Sequence, residues 1–303
     1  MKKSSFAGYH PLVQMIYFTA VITLTMLIWQ PVALGISLAA AAVCAGITGG
    51  RRALRTALAL VLPASLLFLV INPLFSHRGA TILFYLPDGN PFTLESVLYA
   101  AAASCIFASV MLWCMSLRYC ISSDRVIYLF GRLSPRLALL VSVSLRFVPM
   151  YIREFRQVAA AHRCMGRDIS RGGPIKRIRT LAGILSCVTG RALEGSVITA
   201  DSMKSRGAAL KGRSAYHDYH FRPRDLSALT VTLLSGGTVL YGLISGILEF
   251  WYYPVTEQPR LGAEDILLYT AAAVLYCLPM ITGIKEAIKW KRATKILPSR
   301  QTR

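Results

Sequence analysis

Two short stretches of the sequence, residues 161–168 and 201–207, place basic side chains beside a glycine that could end a helix. Glycine readily adopts the left-handed conformation found just after many helices, where the last carbonyl groups lie free. Arginine keeps its charge when desolvated and binds carboxylates through paired hydrogen bonds, so each stretch could enter an acidic or carbonyl-lined groove of another protein. The candidate residues are Arg163, Cys164, Met165, Gly166, Arg167, Ser205, Arg206 and Gly207.

The basic residues at these helix ends also have a simpler explanation that involves no partner protein. Lysine and arginine are common in the last turn of a helix because they complement the helix dipole. The basic excess of the surrounding segment likewise needs nothing beyond a cytoplasmic location and anionic lipid.

Other residues with possible chemistry give weaker signals. His217-Asp218-Tyr219-His220 could suggest a metal site, but no further ligand is evident and the loop is rich in tyrosine. No nucleophile–base pair is recognisable near His162, and no glycine-rich phosphate loop occurs. We therefore expect no catalytic residues, no metal and no cofactor.

The composition excludes a water-soluble globule. Of the 303 residues, 54% are hydrophobic and only 16% are charged, against about 25% in ordinary soluble domains, and the mean hydropathy is +0.50. The formal net charge is +20. Such a charge suits nucleic acid, an anionic membrane or an acidic protein groove, but several bilayer crossings argue against nucleic acid as the partner.

Apolar stretches predict an all-α polytopic membrane protein with about six transmembrane helices, since a crossing helix needs about 20 apolar residues. A further run, 137–150, is short and carries Arg146, so we expect an interfacial or partly buried helix. Prolines 63, 149 and 279 are expected to kink or end helices. The six predicted spans are 12–29, 32–48, 53–71, 94–117, 226–248 and 266–284.

Basic residues orient these spans. The segment 118–224 holds about twenty lysines and arginines, and the two termini and the Gly49–Arg52 connection are also basic. The connections 72–93 and 249–265 each hold a single arginine. Because cytoplasmic loops carry the excess of lysine and arginine, we expect a multi-pass cell-membrane protein with both termini in the cytoplasm.

The predicted organisation has three parts: membrane helices in 1–117, a cytoplasmic segment in 118–224, and two further spans with a basic tail in 225–303. Within the segment, a helix is expected to run up to Gly166 and a longer one from Ile175 to Ser205, where apolar residues recur at helical spacing. The spans carry almost no ionisable residue away from their ends, which disfavours a self-sufficient permease or channel.

The sequence resembles the transmembrane T component of energy-coupling-factor transporters, the EcfT/CbiQ-like family. The resemblance covers most of the chain, and the order and spacing of the short motifs make it specific. They are Asn72-Pro73-Leu74-Phe75, His77-Arg78-Gly79, Thr93-Leu94-Glu95-Ser96, Leu145-Arg146-Phe147-Val148-Pro149, Ser202–Gly207, Gly212-Arg213-Ser214 and Arg222-Pro223-Arg224-Asp225.

The resemblance implies a non-catalytic coupling subunit of an ABC-type importer. Two short Ala-Arg-Gly-like motifs on coupling helices would dock in two ATPase subunits, and a small membrane S component would bind a vitamin or transition-metal ion. The second motif maps to Ser205-Arg206-Gly207 and the first to Cys164-Met165-Gly166. Met165 stands where arginine is expected, so Arg163 or Arg167 would have to reach the groove instead, and Arg206 would dominate.

An alternative function is an integral membrane enzyme acting on lipid or prenyl phosphates at the cytoplasmic face. Such an enzyme would need carboxylates for Mg²⁺ or a catalytic histidine. The carboxylates of the cytoplasmic segment show no DxxxD-like clustering. They are Asp124, Glu154, Asp168, Glu194 and Asp201.

Overall fold

The computed structural model divides into two compact units, residues 1–125 with 219–303 and residues 126–218. The residues that the structure describes are 5–76, 78–85, 91–122, 125–126, 128–129, 135–169, 173–207, 219–256 and 262–296.

Seven helices and one small hairpin make up the described regular structure, after a 3₁₀ turn at Ser5–Gly8. The chain is an all-α polytopic membrane protein, as predicted. The sequence did not predict the hairpin, in which β1 and β2 pair antiparallel. The elements are α1 Pro11–Leu27, α2 Pro31–Phe75, β1 Ile82–Tyr85, β2 Pro91–Thr93, α3 Leu94–Cys120, α4 Pro135–Cys164, α5 Pro174–Ser205, α6 Pro223–Ile244 and α7 Ala263–Ile296.

Six helical stretches in the described part of the chain are long and apolar enough to cross a membrane. The number agrees with the sequence prediction, but the membership differs at two helices. Helix α1 is apolar yet only 17 residues long, whereas α5 satisfies both criteria with a mean hydropathy of 1.3, the lowest of the six. The six stretches are Pro31–Gly50, Leu54–Phe75, Leu94–Cys120, Pro174–Ser205, Pro223–Ile244 and Ala263–Ile284.

Glycine and proline mark the interruptions of these helices. Residues 28–30 are not helical, and Pro31 occupies the first turn of α2, where its missing N–H costs nothing. Within α2 the backbone breaks at Gly50, where φ is +72° and ψ is −177°, so the connection expected between the second and third spans is a kink between two helical halves. Pro63, Pro149 and Pro279 lie inside helices rather than at their ends.

The core of the first unit lies among α1, α2, α3 and α7. Trp113 and Tyr17 are fully buried there in edge-to-face contact, with ring centroids 6.4 Å apart. The polar groups within this core pair with one another: Trp113 Nε1 donates to Ser37 Oγ at 3.2 Å, and Ser37 Oγ lies 3.1 Å from Thr25 Oγ1. Such pairing is required because an unpaired polar group in an apolar interior is costly.

The start of α3 lacks a side-chain cap, although threonine at this position is a common helix cap. Thr93 does precede the helix, but its hydroxyl donates to the carbonyl of Arg78 at 2.8 Å instead of capping the helix. Glu95 is only 1% exposed, and its carboxylate accepts hydrogen bonds from the backbone N–H and the hydroxyl of Thr81. These bonds fasten the segment before β1 to the first turn of α3.

Aromatic side chains cluster where α1 ends. Trp29 stacks on Tyr99 with ring centroids 5.1 Å apart, and the hydroxyl of Tyr252 donates to the carbonyl of Trp29 at 2.7 Å. Burial, with a smaller contribution from nearby Cys105, raises the pKa of Tyr252 to about 12. The connection after α6 is thereby held against α1 and α3.

The second unit contains two long helices that pack against each other. Helix α4 is a single 30-residue element, so the short run predicted at 137–150 is its first half. Helix α5 has 32 residues and begins one residue before the predicted start. Val158 of α4 and Ile184 of α5 are buried, and the ring of His162 lies close to Gly183.

Candidate partner-binding helix ends

The first candidate site is the C-terminal end of α4. Gly166 follows the helix with φ at +77°, a conformation that side chains other than glycine rarely adopt. The N–H of Gly166 donates to the carbonyl of Arg163 at 3.0 Å, and that of Arg167 donates to the carbonyl of His162 at 2.9 Å. These bonds end the helix and turn the chain sharply, which leaves Cys164, Met165 and Arg167 exposed.

The second candidate site is the C-terminal end of α5. Gly207 also has φ at +77°, and its N–H donates to the carbonyl of Lys204 at 3.0 Å. The hydroxyl of Ser205 donates to the carbonyl of Ser202 at 2.9 Å, which also accepts the backbone N–H of Arg206. Ser205 and Arg206 are both exposed.

The two ends agree position by position. Met165 and Arg206 each donate their backbone N–H to the carbonyl four residues earlier, and both of these bonds are 3.2 Å long. The following glycines share the same φ and the same bond to the carbonyl three residues earlier. Met165 therefore occupies the local position that Arg206 occupies on α5.

The charges at the two equivalent positions differ. Met165 is 64% exposed and carries no charge. Arg163 is two residues earlier, and its Nε lies 3.3 Å from Asp168 Oδ2. Within the part of the chain that the structure describes, Arg206 forms no ion pair, so its cation is available to an external carboxylate.

A cationic cavity lies beside the first end. It has a volume of about 650 Å³ and lies between the end of α4 and the first turns of α5. The N-terminus of α5 adds the partial positive charge of a helix start. Four of its lining side chains are basic: His162, Arg167, Lys176 and Arg179.

The described residues contain no group of three or more His, Cys, Asp or Glu that could hold a metal ion. Of the weak candidate His217-Asp218-Tyr219-His220, the first two residues lie outside the described ranges. The seven cysteines are free. The exposed cations and hydroxyl of the two helix ends are groups that can form ion pairs and hydrogen bonds.

A sequence profile of the CbiQ family, described as cobalt transport protein, matches residues 2–214. This range is more than half of the 303-residue chain and includes both helix ends. The chain belongs to the CbiQ family. Its resemblance to T components, inferred from short motifs, is thereby confirmed at the level of the family.

Curated relatives of this CbiQ-family chain carry the name energy-coupling factor transporter transmembrane protein EcfT. The protein from Lactobacillus helveticus is 34% identical over 105 residues, which are 34% of this chain and 38% of the relative. The protein from Bacillus selenitireducens is 33% identical over 105 residues, 34% of this chain and 39% of the relative. EcfT 1 from Listeria monocytogenes is 25% identical over 189 residues, 58% of this chain and 70% of the relative. The chain thus spans about two fifths of the length of the first two.

The structure adds residues that sequence reasoning on this CbiQ-family chain missed. Asp168 was considered only as a possible catalytic carboxylate, yet it pairs with Arg163 across the turn at Gly166. Lys176 and Arg179 line one cavity with Arg167, because the first turns of α5 lie beside the end of α4. The basic character of 161–179 was the only signal in the sequence, and it does not say which cations meet.

Proposed function

We propose that the chain is the transmembrane coupling subunit of an energy-coupling-factor importer. Its two helix ends would dock in two ABC-type ATPase subunits and pass their movement to the membrane helices. The observation that carries this proposal is the pair of helix ends with one shared geometry, of which the second presents the exposed Arg206. The name of the curated relatives supports the same function.

The proposal includes an asymmetry between the two contacts. Arg206 lies at the tip of α5 without a described ion pair, whereas Met165 holds the equivalent place on α4 and Arg163 is bonded to Asp168. A carboxylate in an ATPase groove would gain a charge-assisted bond to Arg206 directly. At the first end it would have to compete with Asp168 for Arg163 or bind Arg167.

Coupling requires that the ATPases hold the two ends differently in their open and closed states, because a partner that binds both states equally moves nothing. Helix α5 is long and continuous over 32 residues, so it can carry a displacement of its end along its whole length. We place α4 and α5 on the cytoplasmic side, where their many basic residues also suit anionic lipid.

A small membrane S component would supply the substrate site, with a vitamin or a transition-metal ion as the cargo. Within the described spans, no Asp, Glu, His, Lys or Arg is buried away from the helix starts, as Glu95, Asp225 and Asp265 all lie in first turns. A substrate pathway made of such groups is therefore better sought on another polypeptide. The chain itself would be non-catalytic.

The test is a detergent pull-down from native membranes, with wild type beside Arg206→Glu and partners identified by mass spectrometry. Arg191→Glu is the matched control, because Arg191 is exposed on the same helix but lies away from its end. We expect ATPase subunits and a small membrane protein with wild type and the control, and loss of the ATPases with Arg206→Glu. A chain that comes down alone in all three samples would instead favour the membrane enzyme acting on lipid or prenyl phosphates.

A further inference from the structure

The first described residues of the chain are hydrogen-bonded to two distant parts of the first unit, the end of α3 and the start of α6. We call Phe6–Gln14 the N-terminal clasp. Its centre is Gln14, which is fully buried and uses its whole amide. Nε2 donates to the carbonyls of Phe6 at 2.6 Å and Tyr9 at 3.1 Å, and Oε1 accepts from Arg125 Nη1 at 2.8 Å.

The bond to Arg125 ties the clasp to the end of α3. The same Nη1 atom of Arg125 donates to the carbonyl of Cys120, the last residue of α3, at 2.9 Å. Arg125 is also the last residue of the first unit before the chain enters the second unit. The clasp therefore holds the point at which the chain leaves the first unit.

A second set of bonds ties the clasp to the start of α6. Asp225 is 1% exposed, and its Oδ1 accepts from the backbone N–H of His10 at 3.2 Å. Arg224 Nη2 donates to the carbonyl of Gly8 at 2.9 Å, and its guanidinium lies 5.3 Å from the centre of the Tyr9 ring. The chain returns to the first unit at residue 219, so these bonds hold the point of return.

Helix capping alone does not explain this arrangement. Asp225 Oδ2 accepts from the N–H of Arg222 at 2.9 Å, and Asp265 Oδ2 makes the same local bond to Gly262 at 3.1 Å at the start of α7. Only Asp225 adds a described bond to a residue 215 positions away. The long-range hydrogen bonds of Asp225 and Arg224 go to backbone groups of His10 and Gly8, and such bonds fix the position of this short segment against α6.

We propose that the N-terminal clasp fixes the two points at which the chain joins the second unit, near Arg125 and near residue 219, relative to each other. A displacement of the second unit would then move α1, α3 and α6 together. This inference rests on the proposed coupling function. Without the clasp, the two connections between the units could move independently. Part of a movement of the ATPase subunits would then be lost at these connections and would not reach the membrane helices. Gln14, Arg125, Arg224 and Asp225 would be positioning residues for coupling.

The experiment measures how firmly the attachment points are held. Spin labels are placed at Ser122→Cys and His220→Cys, two exposed positions beside the attachments, after replacement of the five native cysteines that are not buried. The distribution of distances between the two spin labels is measured by pulsed electron paramagnetic resonance. The full chain is used in nanodiscs, alone and with the ATPase subunits. Wild type should give one narrow distance in both samples.

The variants separate the clasp from general stability. Gln14→Met removes all three bonds and should broaden the distance distribution by about twofold. Gln14→Glu keeps the acceptor for Arg125 and loses only the two donors, so it should broaden the distribution less. Thr25→Val is the matched control, since Thr25 is a buried, hydrogen-bonded residue of the same helix outside the clasp. It should lower the Tm yet leave the distribution narrow.

Each outcome bears on one proposal. A narrow distribution in Gln14→Met, or equal broadening in Thr25→Val, overturns the clasp. If Gln14→Met does not fold, Asp225→Asn beside Asp265→Asn makes the same comparison at α6. Absence of ATPase binding by wild type would contradict the coupling function, while the distances measured on the chain alone would still decide whether the clasp fastens the attachments.

Discussion

At the scale of single residues, the two helix ends differ mainly in what stands before the glycine. Arg206 and Met165 occupy equivalent positions in two turns with the same backbone geometry. A charged hydrogen bond to a partner carboxylate contributes about 1.5–3 kcal/mol, which an exposed methionine cannot replace. If the two ends dock in ATPase subunits as proposed, the contribution of each end should therefore be separable by substitution.

Arg206→Ala should weaken binding of the ATPase subunits by about tenfold to a hundredfold, as expected for loss of one charged hydrogen bond. Arg163→Ala should weaken it by less, because Arg163 is already paired with Asp168. Met165→Arg should strengthen binding by restoring the cation at the equivalent position. Titration of purified ATPase against each variant in nanodiscs checks this, and equal losses for Arg206→Ala and Arg163→Ala would contradict it.

A second prediction at this scale concerns Gly79, beside the buried Glu95. A Cβ added there would lie 2.5 Å from Glu95 Oε2 and 2.8 Å from Thr93 Oγ1. In addition, the backbone φ of Gly79 is +141°, which is strained for any residue other than glycine. We expect Gly79→Ala to lower the free energy of unfolding by about 2–4 kcal/mol. Thermal unfolding in detergent measures it. Gly236→Ala, where a Cβ meets nothing within 4 Å, is the control and should cause no loss.

At the scale of elements, the kink of α2 depends on Gly50. Its combination of positive φ with ψ near 180° is a region that only glycine occupies without strain. The break allows two helical halves of 20 and 22 residues, each long enough to cross a bilayer. A side chain at this position would strain the turn although it would meet no neighbouring atom.

Gly50→Ala should therefore destabilise the protein by about 1–3 kcal/mol. Gly35→Ala in the same helix should stabilise it by about 0.5–1 kcal/mol, because Gly35 has helical geometry and open space around its Cβ position. Both substitutions add the same methyl group to α2. Opposite shifts of the unfolding transition are expected, and shifts of equal sign would show that the kink is not set at Gly50.

At the scale of the whole molecule, the position of α5 decides the topology. It is long and apolar enough to cross a membrane, yet both stretches that flank it are basic. A crossing would place Cys164 and Ser205 on opposite sides, whereas the proposed topology places both in the cytoplasm. The positive-inside rule favours the second arrangement, because about twenty lysines and arginines lie in 118–224.

Labelling with a membrane-impermeant maleimide tests this topology. Cys164 and a Ser205→Cys variant, both exposed, should react in inside-out vesicles at least about tenfold more than in intact cells. Arg78→Cys, exposed between α2 and α3, should show the reverse preference. Labelling of Cys164 and of Ser205→Cys from opposite sides would mean that α5 crosses the membrane.

Local patterns were enough to predict much of this protein. Apolar runs of bilayer length predicted an all-α polytopic chain, and the glycines at 166 and 207 predicted where α4 and α5 end, because both signals act over a few neighbouring residues. The short motifs in order along the chain pointed to the family. The exact membership of the six apolar helices did not follow, since α1 and α5 lie close to the limits of length and hydropathy.

Only the tertiary structure showed two kinds of contact: contacts between residues distant along the chain, and contacts that depend on the geometry of a turn. The pairing of Arg163 with Asp168 needs the left-handed turn at Gly166, and the bonds of Gln14 and Asp225 join residues more than 100 positions apart. Composition and periodicity report on neighbours in sequence, whereas the partner of a buried polar group depends on how the helices pack. The hydrogen bonds from the clasp to the end of α3 and to the start of α6 are therefore visible only in the fold.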